Sequence, residues 1–201
     1  MINENFVIIG AILNIIGSSS YAWSTLKGTT QPNRISWFLW AVIPMIAFSA
    51  QLKEGVGLPA LMTFMVGFGP FLIFVASLQN RKAYWKISRL DWWCGGLSIL
   101  AALLWVITGT GLVAIILSIL ADFLAGMPTL LKAFSHPESE QPGVFRNGAL
   151  SALITMLAIQ HWTFAASAFS LYIFLVCATL YMLIRFKLGL KLTRLLSPSK
   201  I

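Results

Sequence analysis

The sequence predicts an all-α integral membrane protein of seven transmembrane helices, arranged as two parallel repeats of a triple-helix bundle joined by one extra span, a 3+1+3 architecture. Three observations predict it. Of the 201 residues, 58% are hydrophobic and only 10% charged, whereas a soluble domain carries about a quarter charged residues to cover its surface. The apolar residues fall into seven runs long enough to cross a bilayer. A polar stretch after the first run, TLKGTTQPNR at residues 25–34, returns in kind after the fifth as TLLKAFSHPESEQP at residues 129–142.

In order, the spans are residues 6–23, 35–52, 56–78, 92–108, 112–131, 144–159 and 162–186. The first follows MINENF, which holds no Lys or Arg. A cleavable signal peptide has a positive n-region, so this span is expected to be retained. The second and third are joined by KEGVG, and the fourth and fifth by TGTG, glycine-bearing connections that read as tight turns. Span 4 has Gly95, Ser98 and Ala102 on one face, a close-packing surface that reads as a linker helix docked by shape. The four stretches 1–80 (first repeat), 81–110 (linker with span 4), 111–187 (second repeat) and 188–201 (tail) divide the chain.

The basic residues fix the expected orientation. Lys27 and Arg34 follow span 1; Arg81, Lys82, Lys86 and Arg89 follow span 3; Lys132 and Arg146 follow span 5; Arg185, Lys187, Lys191, Arg194 and Lys200 follow span 7. Thirteen of the 14 cations thus fall on one side, with Lys53 alone on the other. The positive-inside rule makes that side cytoplasmic and leaves the N-terminus outside. The expected location is the plasma (inner) membrane. The net charge of +8 then matches anionic headgroups, and no nucleic-acid partner is expected, since basic residues flank apolar spans instead of gathering on a soluble face. Trp23, Trp37, Trp40, Trp92 and Trp93 near the cytoplasmic side and Trp105 and Trp162 near the outer side read as interface anchors.

Aligning Leu26 and Lys27 with Leu131 and Lys132 sets an offset of 105 residues. Three spans end on the opposite side from where they begin, so two such units share an orientation only if span 4 carries the chain back. On these features the chain resembles the PQ-loop superfamily, which includes the SWEET sugar transporters, their half-size SemiSWEET relatives and the KDEL receptors. The resemblance covers the seven spans, the outer N-terminus and the polar loops after spans 1 and 5. Pro128, in GMPTLLK, stands where the family's Pro-Gln pair is expected, but Thr129 follows it. The resemblance implies a carrier working by alternating access, with prolines as hinges.

Asp122 is the single acid inside an apolar span, and an ionisable group at that depth is a functional-site hypothesis by default. Ser118, Asp122, Ala125 and Thr129 repeat at spacings of 4, 3 and 4, and Asn14, Ser18, Tyr21 and Thr25 repeat likewise in span 1. Such spacing puts each set on one helix face, and lipid rejects a polar face. Asn14, Ser18, Tyr21, Ser118 and Asp122 are therefore candidate substrate-binding residues of a central polar cavity, with Asp122 a candidate proton carrier. The structural alternative is a neutral Asp122 bonded across helices to Asn14 or a serine. Pro44, Pro70 and Pro128 interrupt spans and are candidate hinges, or static kinks of a kind that transmembrane helices tolerate. GFGP at residues 67–70 is the most breakable point. His136, Glu138 and Glu140 alternate in a polar loop without a fourth ligand and read as solvated, so neither a metal nor a cofactor is expected. Cys94 and Cys177 lie in apolar runs and read as small buried side chains. No nucleophile elbow, Walker loop, HExxH or CxxC is present, which gives no support to an enzyme.

The expected function is transport of a small solute, proton-linked through Asp122. The alternative is a membrane receptor or accessory subunit of the same fold, with the bilayer as partner in either case.

Overall fold

The computed structural model describes residues 2–80, 85–108 and 111–196, and all of these that adopt regular structure are helical. The order is α1 (Phe6–Leu26), α2 (Arg34–Lys53), α3 (Ala60–Gln79), α4 (Arg89–Thr108), α5 (Gly111–Ser135), a 3-10 turn (Pro137–Ser139), α6 (Pro142–Ala158), α7 (Phe164–Phe186) and α8 (Leu188–Leu196). Arg81, Lys82, Gly109, Thr110 and Lys200, with the side chains of Ser98, Ala102 and Trp105, lie outside the described residues. Among the described residues five helices are long and apolar enough to cross a membrane: α1, α2, α3, α5 from Leu112, and α7.

The ends of these helices have local causes. Asn33 caps α2, its side-chain oxygen accepting from the amides of Ile35 and Ser36 at 3.1 and 3.2 Å. Thr163 caps α7 through the amide of Ala166. Pro142 opens α6, where its missing N–H costs nothing. Gly28, at φ 75°, reverses the chain after α1, a left-handed conformation that glycine adopts without strain.

Polarity is inverted relative to a soluble bundle. Along α1, Asn14, Gly17, Ser18, Tyr21 and Thr25 are buried while Ile8, Ile9, Ile12, Ile15 and Ile16 are exposed. Small and polar residues facing in, with branched apolar residues facing out, is the pattern that suits a lipid-exposed surface.

Packing follows the glycines and the aromatic pairs. Gly10 meets Ser151 and Gly17 meets Asn147, so α1 and α6 run antiparallel in close contact. Gly69 meets Asn14 and Ser18, and the Asn80 amide donates to the carbonyls of Thr25 and Leu26. Hence α1 and α3 run side by side in one direction. Phe38–Phe74 and Phe48–Phe64 pairs hold α2 antiparallel to α3. On the other side, Asp122 reaches Tyr172, and Phe134 packs on Gly189 just beyond α7, which sets α5 parallel to α7. Gly148 meets Cys177 where α6 crosses α7. The Trp40 indole donates to the Asp122 carbonyl at 3.1 Å, and Ala50 clusters with Ala114 and Ile115, so α2 and α5 are antiparallel. Helix α4 lies against α5 and the edge of α2, with Gly95 on Ile35 and Leu39.

Several expectations change here. Residues 132–135, beyond the expected end of span 5, continue α5 to Ser135. Residues 188–196 of the expected tail form α8. Trp37 and Trp40 are not interface anchors: at 2% and 6% exposure they sit in the core, while Trp23, Trp92, Trp93 and Trp162 are exposed. GFGP does not break α3, which runs through it. Gly67 and Gly69 serve close approach to α2 and α1.

Candidate functional site

A central cavity is walled by six helices. Asn14 and Ser18 come from α1, Trp37 and Trp40 from α2, Pro70 from α3, Asp122 from α5, Gly148 from α6, and Ile173 and Cys177 from α7. It offers about 60 Å³ to the centre of a water-sized molecule, room for about four to six waters. Its walls are largely apolar, with Asp122 the single acidic or basic side chain among the described residues that line it.

Asp122 is 2% exposed. Its Oδ2 accepts from the Tyr172 hydroxyl at 2.7 Å, and its Oδ1 is buried without a hydrogen-bond partner. A buried carboxylate oxygen without a hydrogen bond is costly, and Asp122 is also among the residues that line the cavity. The Trp40 ring is fixed next to it by the bond to the Asp122 carbonyl and by its packing on Gly126. Trp37 stands edge-on to Trp40, with centroids 5.2 Å apart.

Of the five candidate binding residues, the fold brings Asn14, Ser18 and Asp122 to one cavity. Ser18 donates to the Asn14 side-chain oxygen at 3.4 Å. Ser118 is buried one turn before Asp122, and its hydroxyl is unpartnered. Tyr21 points elsewhere, donating to Glu140 Oε2 at 2.5 Å. The bonding partner of Asp122 is Tyr172, in place of the expected Asn14 or serine. Pro70 lines the cavity, whereas Pro44 and Pro128 are buried within continuous helices.

Glu140 is the clearest departure from the solvated-loop reading. It is buried, and it accepts from Lys132 Nζ at 2.8 Å, with side-chain exposures of 1% for the lysine and 0% for the acid. Lys132 also donates to the Gln31 carbonyl and lies over the Trp85 ring, 4.6 Å from its centroid. Lys132, Glu140, Tyr21, Gln31 and Trp85 thus close one end of the bundle below the cavity. His136 and Glu138 stay exposed and bond to each other. The sequence signal for Lys132 was its eight-residue separation from Glu140 across a proline turn, which brings a helix end and a returning loop together. For Tyr172 it was a phenol in the middle of an apolar run, which needs an acceptor. No described group of three or more His, Cys, Asp or Glu side chains is placed to hold a metal.

No protein-family description, no curated protein and no solved structure matches this chain.

Proposed function

We propose that the chain is a seven-span membrane protein built from two parallel triple-helix units joined by α4, and that it carries a small solute by alternating access in the manner of the PQ-loop proteins. The neighbour scheme supports the repeat. Helix α3 lies between α1 and α2, and α7 between α5 and α6, while the cross-contacts α1–α6 and α2–α5 exchange under a two-fold relation. In this reading α4 and α6 supply the two remaining spans. The 17 residues of α6 reach the lower limit for crossing a bilayer, about 17. Charge sorting places the N-terminus outside, the C-terminus in the cytoplasm, and the Lys132–Glu140 cluster at the cytoplasmic end.

The observation that carries the transport reading is the cavity at the contact between the two units, with Asp122, one of whose oxygens lacks a hydrogen bond, among its lining residues. Ligands bind at repeat interfaces in carriers of this design because the two units rock about that point. Gln31 and Tyr21 belong to one unit and Lys132 and Glu140 to the other, so their cluster acts as a closed cytoplasmic gate. Asp122 takes up a proton on one side and releases it on the other. The receptor or accessory-subunit reading draws on the small size of the cavity.

Vesicles containing the purified protein and a pH-sensitive dye test the proposal. Sugars, amino acids, organic acids and amines are added outside in turn. A solute that moves protons with the wild type but not with Asp122→Asn is the expected result. Silence from every class, with the protein folded, favours the receptor reading.

A further inference from the structure

We propose that the solute is a small organic cation, held by the Asp122 carboxylate and the Trp37 and Trp40 rings. This rests on the carrier reading and names its substrate class. The cavity supplies a negative charge and lacks a positive one: no Lys, Arg or His is among the described residues of its wall. Tyr172 occupies one oxygen of Asp122 and leaves Oδ1 without a partner. An ammonium group in the cavity neutralises the acid, which a sugar hydroxyl, able only to donate a hydrogen bond, and an organic carboxylate cannot do. A second anion meets repulsion. The remaining surface of such a cation needs apolar or π-rich walls, and the two indoles provide them. Aromatic faces attract cations most strongly when water is excluded. Trp40 cannot swing away, since its N–H is bonded to the Asp122 carbonyl and its ring rests on Gly126.

Size narrows the class. Space of about 60 Å³ replaces about four to six waters, so a cation of about two to five heavy atoms fits without opening the bundle. Charge compensation then sets the cycle. Asp122 holds either the cation or a proton, and one cation crosses against one proton with no net charge moved. The titratable groups facing Asp122 are Tyr172 and Cys177 on α7. The cavity residues of α1, α2, α3 and α6 are uncharged, and the charges of α4, Arg89 and Asp91, lie at its first turn beside Asn33.

The test uses the full chain in detergent at fixed ionic strength. Thermal unfolding is followed with methylammonium and ethanolammonium chlorides, and with methanol, ethylene glycol, glucose and sodium acetate as neutral or anionic counterparts. The expected result is a midpoint that rises with cation concentration only, with a response that weakens as pH falls because protons compete. Asp122→Asn needs about tenfold more cation or beyond for the same rise, and Asp122→Glu keeps part of the wild-type response. Should the Asn variant fail to fold, the wild-type contrast between cations and their neutral counterparts decides alone. Equal stabilisation by the neutral counterparts, or a folded Asp122→Asn that responds like wild type, overturns the proposal. Stabilisation or uptake confined to sugars or organic acids removes the cation while the carrier reading stands. No response to any solute in either assay removes both.

Discussion

Breaking the Lys132–Glu140 pair is expected to damage the protein far more than removing it. Both side chains are fully buried, the contact is 2.8 Å, and the second oxygen of Glu140 is taken by Tyr21. Lys132→Met leaves a carboxylate with one hydroxyl donor and no cation, and Glu140→Gln leaves an ammonium with neutral acceptors alone, the new amide oxygen, the Gln31 carbonyl and the Trp85 face, and no anion. Uncompensated buried charge costs about 3–5 kcal/mol for either single change. For a chain of this size, each kcal/mol moves the midpoint by about 2–4 °C, so each single variant should melt about 6–20 °C lower. Lys132→Met with Glu140→Gln removes both charges and keeps both volumes, and should cost less than about 2 kcal/mol, against about 6–10 if the two were additive. The assay is thermal unfolding in detergent, read by tryptophan fluorescence and completed as a double-mutant cycle. Single variants that melt within about 2 °C of wild type, or a double variant that shows the sum, would refute the argument that these charges are buried together.

Other consequences are checked more simply. Single cysteines at Lys53 and Lys86, placed in a background without Cys94 and Cys177, should react with an impermeant thiol reagent from opposite faces of sealed vesicles. Reaction of both from one face sinks the seven-span topology. Gly69→Leu drives a side chain into Ser18 and Asn14 and should cost about 1–3 kcal/mol of stability by forcing α1 from α3. A midpoint equal to wild type contradicts that close approach. Asp122→Asn preserves shape and the Tyr172 contact, so the protein should fold and reach the membrane while its solute uptake loses dependence on pH. Retained pH dependence ends the proton link.

The helices were legible because long apolar runs between glycine, proline and charge leave few alternatives, and α1, α2 and α7 lie within three residues of their expected limits at each end. Which way each helix faces was less legible. Trp37 and Trp40 stand near the start of α2, as interface anchors do, yet they point into the core. In a bilayer both the lipid side and the protein side are apolar, so hydrophobicity alone cannot choose between them. Polar side chains choose better, and the Asn14–Ser18 and Ser118–Asp122 stripes did point to buried faces. Pairings between helices far apart in sequence were invisible. Tyr172 meets Asp122 only because α7 packs along α5, and Tyr21 leaves the cavity stripe because Glu140 folds in beneath it. Glu140 departs from a solvated loop acid because a buried lysine, one helix end away, pairs with it.

Alternating access to the central cavity is the core of the account, and Cys177 is a native probe for it, since its side chain forms part of the cavity wall beside Gly148. With Cys94 replaced by alanine, the protein in sealed vesicles is treated with an impermeant thiol reagent outside in one sample and trapped inside in another, and the modified fraction at Cys177 is read by mass spectrometry. Alternating access predicts modification from each face, slowed in both samples when Asp122 is occupied by solute. Modification from one face alone, or from neither, contradicts it.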